Sequence, residues 1–231
     1  MVALILASCS ATVELTGTAA QAPGSDKGLA DAALHLRDGA GVPFSDTRTN
    51  AKGAFSIEAP RGDVVFLDVD ADGHVATTFT GVSGVDDTSR LADESIYGWP
   101  VADYESWISP FSPCAADGGT AVGEVRVFGI VDPLTGEAPL VAAAEISVLD
   151  PIGEPVASPC YLDDAGVHDP GADRTGVTGS FAVFGIPDGQ WELRVTYDLT
   201  ELTQGIASFP VYIESGQVAP RFPLLITLPY L

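Results

Sequence analysis

Carboxylates, cysteines, histidines and unpaired aromatics are the residues of this chain whose types and spacing could do chemistry. Asp68-Val69-Asp70-Ala71-Asp72-Gly73 puts oxygens at alternate positions ahead of a glycine turn, the pattern with which a calcium loop wraps a hard cation. Position 12 of such a loop should be a bidentate glutamate and is Phe79 here, so a solvent-facing strand edge with its turn competes for the same residues. Asp163, Asp164, Asp169 and Asp173, around Gly166 and Gly171, form a second group that reads as a calcium candidate or as a solvated acidic loop. Trp99, Tyr104 and Trp107 could stack sugar rings in a carbohydrate site, or Trp99 and Trp107 could wedge two domains together, because aromatics dominate interface burial. Trp191 is expected inside, on the same strand face as Leu193, Val195 and Tyr197.

The three histidines do not add a catalytic pattern. His35 stands between Leu34 and Leu36 and is expected on an exposed strand face, while His74 and His168 fall in aspartate-rich turns. There is no His-x-x-x-His or Cys-x-x-Cys pair for zinc, no Gly-x-Ser-x-Gly elbow and no phosphate-cradling glycine loop. The expectation is a protein that is not an enzyme and has no cofactor apart from a Ca2+ candidate.

Cysteine usage speaks to compartment. Leu6-Ala7-Ser8-Cys9 follows a short apolar run and resembles a bacterial lipobox, in which small residues permit cleavage and the new N-terminal cysteine, Cys9, carries lipid. Residues 1–10 are therefore expected to be a signal remnant and lipobox, with the true start upstream because no basic residue precedes the apolar run. With Cys9 lipidated, Cys114 and Cys160 remain as an even pair and are expected to be bridged in an oxidising space. Such a bond would pin the acidic insert to the second domain and stabilise that domain alone. The expected location is the bacterial cell envelope, as an outer-membrane lipoprotein or a secreted protein, touching membrane only through the lipid.

Ten basic against 32 acidic residues give a net charge of −22, which repels phosphate backbones and anionic lipid surfaces. Nucleic acid is excluded as an expected partner; an envelope protein or a glycan is left. The 25 glycines and 17 prolines between short Val/Ile/Leu/Phe runs are the punctuation of an all-β chain.

An internal repeat organises these elements. Thr49 to Gly62 (T-N-A-K-G-A-F-S-I-E-A-P-R-G) returns as Thr175 to Gly189 (T-G-V-T-G-S-F-A-V-F-G-I-P-D-G). Val13 to Gly17 aligns with Val125 to Gly129 at an offset of 112, and the same offset carries Leu34 to Ile146, Asp38 to Asp150 and Pro43 to Pro155. Thr49 to Thr175 is 126, so the second copy holds 14 more residues (126 less 112), placed at 156–174. Val65, Leu67 and Val69 alternate with outward Asp68 and Asp70, and one short helix is expected over 103–108. The expected domains are 11–89 and 116–231, each with its own core and the second able to fold alone, joined by 90–115.

Taken together, the strand ending in glycine (Gly17, Gly129), the small-residue strand (Ala32-Ala33-Leu34, Ala143-Ala144-Glu145-Ile146), Asp-x-x-Gly, Thr-x-x-x-Gly-x-Phe and Pro-x-Gly, each present twice, resemble the carboxypeptidase regulatory-like domain. Asp70-Ala71-Asp72-Gly73-His74 stands where that family carries a small-Pro-Gly-Tyr turn. The resemblance implies two tandem transthyretin-like (prealbumin-like) or Ig-like β-sandwich domains without catalytic residues, acting in adhesion, spacing or ligand contact. Carbohydrate-binding or calcium-dependent adhesion is the alternative role.

Overall fold

A computed structural model describes residues 12–82, 88–90, 96–127, 136–200 and 203–226. Cys9 and the rest of the expected lipobox lie outside the described residues, as does Gly129. The first half supplies β1 (Thr12–Ala20), β2 (Ala33–Arg37), β3 (Pro43–Arg48), β4 (Ala54–Pro60), β5 (Val64–Asp70), β6 (His74–Val75), β7 (Thr77–Val82) and β8 (Thr88–Arg90). Next come β9 (Ile96–Tyr97), β10 (Trp99–Pro100), the helix α1 (Val101–Ile108) and a 3-10 turn over Ser109–Cys114. The second half adds β11 (Gly119–Val127), β12 (Glu145–Leu149), β13 (Pro155–Ala157), β14 (Pro159–Tyr161), β15 (Ser180–Ile186), β16 (Gly189–Thr200), β17 (Thr203–Ile213) and β18 (Val218–Ile226). Among the described residues the chain is all-β apart from the short helical segment, which begins two residues before the sequence places it, directly after Pro100.

Two sandwich cores share one sheet. An eight-stranded sheet runs β14-β15-β11-β18-β7-β5-β2-β3 through both halves, its two parts joined by the parallel contact of Val218 in β18 with Thr77 in β7. Over its first-half portion lies the sheet β4-β1-β8, and the apolar core there holds Val13, Leu15, Leu34, Leu36, Phe55, Ile57, Leu67 and Val69. Over its second-half portion lies β13-β12-β16-β17, enclosing Ile146, Val148, Phe181, Val183, Leu193 and Val195.

The second-half part of the shared sheet is buried on both faces. Ala121, Val125, Tyr161, Phe181, Val183 and Ala219 point into the second core, while Val122, Cys160, Leu162, Ala182 and Val218 join the first. This explains why β11 and β15 read as near-continuous small and apolar runs, as strands covered on two sides do. The first core thus includes residues of the second half, whereas the internal repeat predicts two self-contained cores.

The duplicated hydrogen bonds are as regular as the duplicated letters. Thr49 Oγ1 accepts from Ala32 N and donates to Leu29 O; Thr175 Oγ1 accepts from Ala144 N and donates to Val141 O. Both threonines are buried, and each hydroxyl satisfies main-chain groups that would otherwise be stranded in the core. Asp38 and Asp150 cap matching turns, accepting from Ala40 and Val42 N and from Ile152 and Glu154 N. Gly41 (φ 77°) and Gly153 (φ 89°) follow them in a left-handed conformation that a side chain would strain.

One alignment is corrected. Gly17 lies opposite Phe55 in β1/β4, and Gly123, not Gly129, lies opposite Phe181 in β11/β15. The offset in the first strand is therefore 106 rather than 112, and the second copy gains six residues before Val141, which matches Leu29. A Cβ on Gly17 would come within 2.6 Å of the Phe55 ring, and one on Gly123 within 3.0 Å of the Phe181 ring, so close ring approach requires glycine at both.

Candidate functional site

The carboxylates of the calcium-loop pattern are not brought together. Asp68 is buried, not solvent-facing, because the second half covers the outer face of β5. Its carboxylate accepts from Arg37 Nε at 2.9 Å and from the Thr78 hydroxyl at 2.8 Å, which leaves it committed to a cation already present. Arg37 also meets Glu214 at 2.8 Å and lies over the Tyr212 ring, 4.6 Å from its centre. Burial works against the Arg37 charge, but the Asp68 hydrogen bond and the surrounding negative groups outweigh it and hold the guanidinium above its ordinary value. Thr78 further contacts Gln217 at 2.9 Å, and Phe66 packs on Tyr212 at 5.7 Å. Asp68 is thus part of a polar lock between the halves. Asp70 and Asp72 are exposed and line a separate cleft with Asp31, Arg48 and His74.

The acidic insert uses its carboxylates on main-chain N–H groups within it and just beyond it. Asp163 accepts from Ala165 N and Val167 N, both at 2.9 Å; Asp164 accepts from Val177 N at 3.1 Å and Asp169 from Gly171 N at 2.8 Å. Asp173 is exposed. Among the described residues, no group of three carboxylates converges at either location.

The interdomain aromatics are a packed ladder. Phe79, Tyr97, Trp99 and Tyr104 follow one another edge-on at 5.1, 6.3 and 5.2 Å, and Trp99, Trp107 and Phe111 continue at 5.8 and 5.3 Å. Trp99 is buried and has no free face for a sugar; Tyr104 and Trp107 are half-buried against the first core. All three pack in or against the first core.

Trp191 goes the other way. Leu193 and Val195 are wholly buried, whereas Trp191, at the end of the same strand face, is only partly covered. Its Nε1 donates to Pro187 O at 2.8 Å, and the ring lies over Gly189, where an added Cβ would stand 3.5 Å from it. It borders a cleft of about 680 Å³ with Phe209, Pro210 and the 84% exposed Ile152. Polar groups converge there too. Glu192 accepts from Ser208 at 2.7 Å and from Arg194 Nε at 2.9 Å, and these two bonds, Ser208 first, hold its carboxyl below the ordinary range. Alternation alone could not show this, because a strand's core face stops being core where the facing sheet ends.

Cys114 and Cys160 are joined, with Cα atoms 6.2 Å apart. The bond ties the end of the 3-10 turn to β14, which the insert adds to the edge of the shared sheet beside β15. Cys160 belongs to the first core and Cys114 packs against it, so the bond lies between the halves rather than inside the second alone. His168 completes a cluster that the sequence spacing did not reveal. Its Nε2 is 3.1 Å from Cys114 Sγ, and the ligand atoms of all three residues lie within 4.8 Å of one another.

No family model and no curated protein matches the chain. Among solved structures, the TIE protein of Bacillus anthracis is similar at 16% identity and a TM-score of 0.32, over 91% of this chain and 34% of its own, so the chain spans about a third of that protein. The shaft pilin SpaA of Lactobacillus rhamnosus GG aligns at 11% identity and a TM-score of 0.28, over 95% of this chain and 98% of the pilin. The minor pilin GBS52 of Streptococcus agalactiae aligns at 12% identity and a TM-score of 0.29, over 95% and 97% respectively.

Proposed function

We propose that this chain is a non-enzymatic cell-envelope module, built from two like β-sandwiches held as one stiff unit and anchored through lipid on Cys9. The observation that carries the reading is the joining of the halves by a shared sheet, a buried polar lock, an aromatic ladder and a disulfide. Sandwiches linked to act as a spacer or adhesive stalk need such fixation, since interfaces within a chain are by default mobile unless large and apolar. The net charge of −22 favours solvation at a surface. Among the described residues, no helix is long and apolar enough to cross a membrane, and the lipid is the proposed membrane contact. Expressed in bacteria behind a secretion leader, the protein should partition with membranes, and Cys9→Ser should move it to the soluble fraction; unchanged fractionation would refute the anchor.

The Trp191 cleft favours one second reading, carbohydrate contact. A ring at the mouth of an open cleft, flanked by a carboxylate, a guanidinium and a hydroxyl, offers the stacking and hydrogen-bonding groups that sugars use. Glycan titration by calorimetry should then lose its heat in Trp191→Ala and retain it in Trp107→Ala. The opposite pattern would return the ligand to the interdomain aromatics, and no heat with any glycan removes the reading.

A further inference from the structure

We propose that Cys114, Cys160 and His168 form, in the dithiol state, a site for one thiophilic divalent cation such as Zn2+, which closure of the disulfide expels. Three features of the structure carry this. The ligand atoms come from three separate segments, the end of the 3-10 turn, β14 and the insert loop, yet fall within 4.8 Å of one another. The insert, which the first half lacks, brings two of the three ligands. The backbone that carries the imidazole is also set in place without any metal: Leu162 bridges His168, Asp163 N donates to Val167 O, Asp169 N donates to Tyr161 O, and the Asp163 carboxylate holds the turn between them.

The geometry suits the chemistry. With metal–sulfur bonds of about 2.3 Å and metal–nitrogen bonds of about 2.0 Å, tetrahedral angles require sulfur–sulfur and sulfur–nitrogen separations of roughly 3.8 and 3.5 Å. The nitrogen is already 3.1 Å from Cys114 Sγ, so the main adjustment is separation of the two sulfurs by rotation about their Cα–Cβ bonds. Cys160 is buried while Cys114 and His168 are half-buried, which leaves one side for water as the fourth ligand. Binding converts two thiols to thiolates and releases two protons. Oxidation by a small disulfide removes two electrons from the dithiolate, forms the Cys114–Cys160 bond, yields two small thiols with two protons taken from water, and frees the cation. A dithiol or phosphine reductant reverses it.

Co2+ is the probe. Full-length protein reduced under anaerobic conditions should take up one equivalent, with a sulfur-to-cobalt charge-transfer band and the visible bands of a tetrahedral ion. Zn2+ should displace it stoichiometrically, and oxidised glutathione should abolish the bands. His168→Ala, which removes a half-buried side chain that belongs to neither core cluster, should keep the disulfide and nearly the same oxidised melting curve, yet bind Co2+ at least about 10-fold more weakly when reduced. The proposal is overturned if reduced wild-type protein shows no charge-transfer band, whether folded or not, if only weak octahedral bands from surface carboxylates appear, or if His168→Ala binds as tightly as wild type.

Discussion

Reduction of the Cys114–Cys160 bond should lower the stability of the whole chain, not of the second half alone, by about 4 kcal/mol. The bond closes a loop across 46 positions, and the chain-entropy relation assigns about that much to a loop of this length. At roughly 2–4 °C per kcal/mol for a chain of this size, the melting temperature should fall by about 8–16 °C. From the spacing of the cysteines alone the effect is expected in the second domain. Cys160, however, packs with Leu162, Ala182 and Val218 in the same core as Leu15, Leu34 and Val69, so loosening it disturbs the first half directly. Calorimetry of the oxidised protein, the reduced protein and a Cys114→Ser/Cys160→Ser variant in metal-free buffer would show one transition shifting as a unit. Two transitions of which only one moves would contradict the shared core.

What the letters reveal and what they hide divides along physical lines. Local backbone demands are legible. Thr49 and Thr175, Asp38 and Asp150, and Gly41 and Gly153 each answer a nearby hydrogen-bonding or dihedral need, so their spacing repeats and the turns can be placed from sequence. The first strand escapes this rule. Val13-x-Leu-x-Gly and Val125-x-Val-x-Gly share an alternation that any short strand could show, whereas the glycine opposite a phenylalanine, Gly17 or Gly123, is fixed by a cross-strand contact that a linear offset cannot see. The candidate sites depend still more on distant partners. Asp68 looks solvent-facing because Leu67 and Val69 are inward, but Tyr212, Glu214 and Gln217 arrive from the far end of the chain to cover it. His168 reads as a turn residue until β14 carries the insert to the end of the 3-10 segment. A hint was available in the charge pattern: Arg37 is one of ten basic residues among 32 acidic ones, and it stands on a strand beside Leu36, where a lone cation needs a committed partner.

Asp68→Ala should destabilise the protein by about 3 kcal/mol, because it leaves the Arg37 guanidinium buried with one of its two carboxylates gone. The side chains of Arg37 and Asp68 are only 14% and 7% exposed, so water cannot take the place of the missing oxygen as it would at an open surface pair. Glu214, 38% exposed, remains to screen the charge, which holds the expected loss at the lower end for a broken buried pair. Asp68→Asn is the informative companion. It preserves volume and an acceptor oxygen for Arg37 Nε while removing the charge, and should cost roughly half as much, since a hydrogen bond to a charged group contributes about 1.5–3 kcal/mol. Glu214→Gln, at the more solvated end, should cost about 1 kcal/mol or less. The double variant Asp68→Ala/Arg37→Ala tests the cause: if the loss comes from an uncompensated guanidinium, removing that guanidinium should recover part of it. Urea unfolding of the four variants supplies the measurement. Losses for Asp68→Ala within about 0.5 kcal/mol of zero, the range of an ordinary surface substitution, would show that the halves do not close over Asp68 in solution.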